Sequence, residues 1–118
     1  MNLELGDIQT KFMGLVWDRE PVGSGELVKV SAEELGWNKS TTYTVLRKLC
    51  ERGILRNEST IVSSVASLED VQRYESNAVI ERSFDGSLSR FIAAVMAGRK
   101  LTAEDAAEIK SVIDACTE

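Results

Sequence analysis

Apolar residues recur at helical spacing along most of the chain. In "DIQTKFMGLVWDRE", Ile8, Phe12, Leu15 and Val16 fall at i, i+4, i+7 and i+8, one face of a helix that must stop before Pro21. Ser24 is placed to cap a second helix, with Leu27, Val28, Ala32 and Leu35 on its apolar side and Gly36 as its end signal. After the turn "GWNKS" a third helix is expected from about Ser40 to Arg52, because Thr42, Val45, Leu46 and Leu49 keep the period and Gly53 ends it. The pattern then shortens. "ILRN" and "TIVSSV" are apolar or β-branched runs separated by the polar "EST", which predicts a small hairpin. Three short helices and a hairpin make a winged helix-turn-helix, a mainly α fold with a small β-wing.

From Ser67 the helical period returns. Ser67 and Asp70 have the spacing of a capping box, and Leu68, Val71, Tyr74 and Ala78 trace one stripe of a fourth helix that should end near "FDGS". "LSRFIAAVMAG" places Leu88, Phe91, Ile92, Val95 and Met96 on one face, with Gly98 as a stop. Thr102 can cap a last helix whose apolar positions are Ala106, Ile109, Val112, Ile113 and Cys116. These three amphipathic helices have no globular core of their own, and short helices are marginal in water unless another surface covers the apolar stripe. Two-fold homodimers are the commonest oligomers. The expected organisation is therefore a winged-helix domain over residues 1–66 and a helical region over 67–118 that pairs with a second copy. Leu68, Val71, Tyr74, Leu88, Phe91, Ile92, Val95, Ile109 and Ile113 are the candidate contacts.

Composition removes several function classes. With 118 residues the chain suits one domain, or one small domain and an appended piece. It contains no histidine, the commonest general base at neutral pH, and no phosphate-binding loop or convergent group of acids replaces it. No catalytic residue is assigned and an enzyme is not expected. Cys50 and Cys116 stand too far apart for a paired zinc motif, so no metal or other cofactor is assigned. Met1 is followed by "NLELGD" instead of basic residues and an apolar run, and "FIAAVMA" is too short to span a bilayer. A cytoplasmic protein without membrane contact is expected.

Charge changes the picture most. The chain carries a net −5, yet "WNKSTTYTVLRKLCERGILR", residues 37–56, gathers Lys39, Arg47, Lys48, Arg52 and Arg56 against the single acid Glu51. In a helix-turn-helix the second helix enters the major groove, its N-terminal residues meeting base edges and its basic groups meeting phosphates. Ser40, Thr41, Tyr43 and Thr44 offer hydroxyls there, and Arg47 can pair bidentately with guanine. Lys39 precedes the helix, whose free N–H groups favour phosphate, while Arg52 and Arg56 flank the start of the wing. The candidate DNA-contacting set is thus Lys39, Ser40, Thr41, Tyr43, Thr44, Arg47, Arg52 and Arg56. A sequence pI of about 4.8 lies far below that of a typical basic DNA-binding domain. Charge and periodicity alone leave open an acidic winged-helix module that binds only protein, its basic face docked on an acidic partner.

"LELGDIQTKFMGLVW", "LGWNKSTTYTVLRKLCERGIL" and "ESNAVIERSFDGSLSRFIAAVMAGRKLTAEDAAEIKSVI" resemble, in order and spacing, the penicillinase-repressor family of bacterial transcription factors. The likeness covers nearly the whole chain. It implies a homodimeric repressor on a pseudo-palindromic double-stranded DNA operator, with Ser40, Thr41, Tyr43 and Thr44 facing bases and Leu88, Phe91, Ile92 and Val95 in the dimer contact. It also implies, in one branch, release by a sensor-linked protease that cuts an Asn-Phe bond; the matching position here is Ala94-Val95, so the same trigger is not presumed, and a sensor-linked protease stays open as a partner. The copper-responsive branch holds metal with paired Cys-x-Cys motifs, whereas this chain ends "IDACTE" with Cys116 alone. The wing sequence "RNESTIVSS" is short and carries Glu58, unlike the longer basic wing of the family.

Overall fold

The computed structural model describes residues 1–118 and contains six helices and a three-stranded antiparallel sheet. The elements are α1 (Asp7–Arg19), β1 (Val22–Gly23), α2 (Ser24–Leu35), α3 (Lys39–Glu51), β2 (Leu55–Glu58), β3 (Ile61–Ser64), α4 (Leu68–Ser83), α5 (Leu88–Met96) and α6 (Ala103–Ala115). This is the winged helix-turn-helix, followed by further helices, that the hydrophobic pattern predicts. No helix is long and apolar enough to cross a membrane. Two compact units divide the chain, Met1–Ala78 and Val79–Glu118.

The core of the first unit is built from Phe12, Met13 and Val16 of α1, Leu27 of α2, Leu46 and Leu49 of α3, and Ile54, Leu55 and Val62 around the wing. Ile8, expected on the apolar face of α1, is exposed; Leu5, preceding the helix, fills the core at that end instead. Trp37 stacks on Phe12 with ring centroids 5.9 Å apart and 13° between the planes, which ties the turn before α3 to the core.

The apolar face of α2 is rotated from its expected position. Leu27, Val30 and Ser31 are buried, whereas Val28 and Leu35 are half-buried and Ala32 is exposed. Ser31 is small enough to be enclosed completely, and its Oγ has no hydrogen-bond partner. Ser24 is not the N-cap: Gly23 holds that place in extended conformation, and the Ser24 N–H donates to the Thr60 carbonyl at 2.8 Å. That bond continues a strand the sequence pattern did not disclose. Val22 and Gly23 pair antiparallel with Val62 and Ile61, giving the order β1-β3-β2. Two residues are too few to show a period of two.

The hairpin is present as expected, with Leu55↔Ser64 and Glu58↔Ile61 as its outer register pairs. Ser59 and Thr60 close it, both at positive φ (51° and 68°), the backbone of a two-residue hairpin turn that usually takes Asn-Gly. A β-branched threonine in that region is disfavoured.

Apart from the start of α2, several helix termini follow their sequence signals. Gly36 stops α2 in the left-handed conformation at φ 69°, where a side chain would be strained. Ser67 and Asp70 form the reciprocal box: the Ser67 N–H donates to Asp70 Oδ2 and the Asp70 N–H to Ser67 Oγ, each at 3.0 Å. Ser87 Oγ caps α5 by accepting from the Arg90 N–H, and Thr102 Oγ1 caps α6 by accepting from the Asp105 N–H.

The compact units do not divide at 66/67. The first turns of α4 belong with the winged helix, because Val71 is 3% exposed and sits in its core. Trp17 fixes this junction by donating its Nε1–H to the Ala66 carbonyl at 3.1 Å. Val71, expected at a contact with a second copy, is therefore already covered within its own chain.

Val79–Glu118 is different in kind. Phe84 meets the edge of Phe91 at a centroid distance of 5.4 Å, but neither α5 nor α6 has a buried residue. Leu88, Ile92, Ile109, Val112 and Ile113 are all exposed. An apolar groove of about 440 Å³ runs along Leu88, Ser89, Ile92, Ala93 and Ile113.

Candidate nucleic-acid interface

Asn38 starts α3. Its side-chain oxygen accepts from the Thr41 N–H at 2.8 Å, removing one of the unsatisfied donors of the first turn. Thr42 is buried and returns its hydroxyl to the Asn38 carbonyl at 3.1 Å. With Leu46 and Leu49 it anchors one side of the helix in the core. The opposite side is fixed by the same period. Ser40, Thr44, Arg47 and Glu51 follow each other at i, i+4, i+7 and i+11 along it, with Tyr43 beside them. Ser40, Thr41, Tyr43 and Arg47 are exposed and Thr44 is half-buried. Burying Thr42, Leu46 and Leu49 thus turns the hydroxyls and Arg47 outward without any further constraint.

Lys39 lies at the start of α3 with Nζ 6.0 Å from the centre of the Tyr43 ring, which brings a cation and an aromatic hydroxyl together near the helix N-terminus. That end carries partial positive charge from its free N–H groups. No lysine is held in an ion pair, so Lys39 and Lys48 keep their charge unopposed.

The arginines divide into two kinds. Arg47 and Arg56 are exposed, and each meets one carboxylate through Nε: Arg47 with Glu51 at 3.8 Å, Arg56 with Glu58 at 3.5 Å. Arg56 and Glu58 alternate with Asn57 on β2, so both project from one face of the wing. Arg52 is locked inward. Its guanidinium donates to Gln9 Oε1 at 2.7 Å, to the Glu4 carbonyl at 2.7 Å and to the Asn2 carbonyl at 3.1 Å. It fastens the N-terminal segment to the end of α3, a role that its position in a basic stretch does not disclose.

Acidic residues are not confined to the C-terminal helices. Val79–Glu118 holds seven acids and five bases, while α2 alone carries Glu26, Glu33 and Glu34. One of these is paired, Glu34 with Arg19 at 2.7 Å. The excess of bases over acids is thus gathered in residues 37–56, on α3 and the base of the wing. Charges further than about 8 Å away are largely screened at physiological ionic strength.

Cys116 is exposed and Cys50 is half-buried, and neither is in a disulfide. Burial pushes the Cys50 thiol up from its ordinary value, and neighbouring Glu51 adds to the shift, so it stays protonated at neutral pH. No three histidine, cysteine, aspartate or glutamate side chains come together as metal ligands.

The family described as Penicillinase repressor matches the chain over residues 5–115, which includes the helix-turn-helix, the wing and all three C-terminal helices. No curated protein matches it.

Proposed function

Because the chain belongs to the penicillinase repressor family, and so is a transcriptional repressor, we propose that two copies grip a pseudo-palindromic operator with one α3 in each of two successive major grooves. Bound there, the pair blocks access of polymerase to the promoter. The observation that carries this reading is the partition of α3: Thr42, Leu46 and Leu49 face the core while Ser40, Thr41, Tyr43 and Arg47 are left outside in a single surface. Ser40, Thr41, Tyr43 and Thr44 read base edges, Arg47 takes a guanine, and Lys39 and Arg56 meet phosphates. Arg52 acts on the same surface indirectly, by holding α3 against the N-terminal segment.

Pairing of the copies is supported by the exposed apolar side chains of α5 and α6, with Leu88, Ile92 and Ile113 around the groove and Ile109 nearby in sequence. Phe91 and Val95 are half-buried and Leu68 and Tyr74 of α4 retain surface, so all four remain available; Val71 does not. In this arrangement residues 67–118 provide the dimer contact even though the first turns of α4 fold with the winged helix. Anything that weakens the pair releases the operator, since one winged helix makes half the contacts.

A hydroxyl-radical footprint across the promoter upstream of the gene tests the reading. Two protected patches on one face of the duplex, about 10 base pairs apart or a multiple of that, are expected. No protection of any fragment at low salt would leave the acidic protein-binding module as the better account.

A further inference from the structure

The wing is braced from outside its own hairpin. We propose that Glu20 is a positioning residue for DNA contact: it acts through Ser64 to fix the root of the wing, from which Arg56 reaches phosphate. The inference rests on the operator reading above and adds to it a residue that touches no DNA itself.

The brace stands where a strand pairing is missing. β1 meets β3 at Val22↔Val62 and Gly23↔Ile61, and the Ser24 N–H continues the ladder by donating to the Thr60 carbonyl at 2.8 Å. Extended the other way, the same register sets Glu20 opposite Ser64. No backbone pair completes the ladder there, because the Glu20 N–H ends α1 by donating to the Val16 carbonyl at 2.8 Å. Backbone groups along a strand alternate between its two neighbours, so Ser64, like Thr60 and Val62, turns its N–H to the β1 side. Ser64 is half-buried, and a donor left without a partner there costs stability. The Glu20 side chain supplies the partner: Oε1 accepts from the Ser64 N–H at 2.7 Å and from the Ser64 hydroxyl at 2.8 Å, with Oε2 2.9 Å from the same hydroxyl.

The two ends of this clamp differ. One is α1, whose Phe12, Met13 and Val16 are completely enclosed. The other is the base of the hairpin, where Ser64 pairs with Leu55 and the next pair outward is Ser63 with Arg56. Arg56 thus springs from the position adjoining the clamped pair, on β2, the edge strand of the sheet. β1 holds only the tip half of β3, through residues 60–62. Leu55 packs the base half onto the core, but apolar packing is non-directional, whereas hydrogen bonds fix direction. Glu20 therefore sets where the root of Arg56 stands relative to the helices.

Charge alone predicts the opposite of what the brace predicts. Taking an acid away from a DNA-binding protein strengthens its attraction to phosphate, while losing the brace weakens it. Anisotropy titrations of the promoter duplex and a scrambled duplex, at matched potassium chloride, compare the full parent chain with Glu20→Ala, Glu20→Gln, Arg56→Ala and the Glu20→Ala/Arg56→Ala double variant. On the promoter Arg56→Ala should weaken binding about tenfold, one exposed ion pair lost in each of two half-sites, and Glu20→Ala about fivefold, since Arg56 is displaced and not removed. Glutamine can still accept from the Ser64 N–H through its amide oxygen, so Glu20→Gln should bind at least as tightly as the parent. In the Arg56→Ala background Glu20→Ala should weaken binding by less than about twofold, the mark of two residues acting as one unit. Ser64→Ala, which removes only the hydroxyl contacts, runs the same cycle at smaller amplitude and decides the matter should Glu20→Ala fail to fold. Unchanged or tighter binding by Glu20→Ala, an equal loss in both backgrounds, or a Glu20→Gln as weak as Glu20→Ala overturns the proposal while the operator reading stands. A parent protein that does not prefer its promoter to the scrambled duplex overturns both.

Discussion

The two compact units of this chain solve the burial problem in opposite ways. Met1–Ala78 encloses Phe12, Met13, Leu27, Leu49, Ile54 and Val62 completely, so its helices are held by one another. Val79–Glu118 has helices with equally apolar stripes and encloses nothing: Leu88 is 61% exposed and Ile113 55%. An amphipathic helix is informative about its neighbours only when its apolar side is covered. In the first unit the cover is internal and the outward side of α3 is the one proposed to meet DNA. In the second the apolar side itself is outward, and that is the side proposed to meet a second copy.

Substitutions should separate the two units. Phe12→Ala removes a ring that both fills the core and stacks on Trp37, and should destabilise the winged helix by about 3–5 kcal/mol, read by denaturant unfolding. A loss below about 1 kcal/mol would show that the first unit is less tightly packed than its burial states. Ile113→Asp should leave the unfolding of a single chain almost unchanged but cost association about 1.5–3 kcal/mol per copy, seen as a shift from dimer to monomer in sedimentation. A parent protein that sediments as a monomer at every concentration would remove the difference between the units as it is drawn here.

Smaller effects sharpen the same contrast at single caps. Asn38→Ala takes away the bond to the Thr41 N–H and should cost about 1 kcal/mol of stability, with weaker DNA binding because the first turn of α3 frays. An unchanged melting temperature would remove the cap from the account. Asp70 gives the weakest and most conditional effect. The Ser67 backbone and hydroxyl, then Arg73, hold its carboxyl below the usual carboxylate value. A depressed folded-state pKa contributes stability that is present above the ordinary carboxylate range and lost as pH falls through the folded value. The parent should therefore exceed Asp70→Asn in stability at neutral pH, and the gap should close under acid conditions below that range. A gap independent of pH would mean that the carboxylate charge is not what stabilises the cap.

Local signals were the most readable part of the sequence. Gly36, the Ser67–Asp70 box and Thr102 each act within a few residues, and each helix end lies where they put it. The hairpin and the outward residues of α3 were legible for a related reason, since one strong period fixes both faces of an element. Tertiary choices were not. The packed side of α2 includes Ser31, which no hydrophobic count would select, and β1 is recognisable only by its partner β3. Periodicity marks Val71 as apolar and helical, but does not say whether its stripe meets its own domain or another chain. Arg52 shows the same limit for charge: a basic residue in a basic stretch turned inward onto backbone carbonyls.

The central claim is that the outward side of α3 reads DNA, and anisotropy titration of the promoter duplex at matched salt tests it most directly. Arg47→Ala should weaken binding about a hundredfold, the order of one lost bidentate base contact in each of two half-sites, and Tyr43→Ala about tenfold, with sedimentation unchanged. Full affinity in both variants would contradict the account.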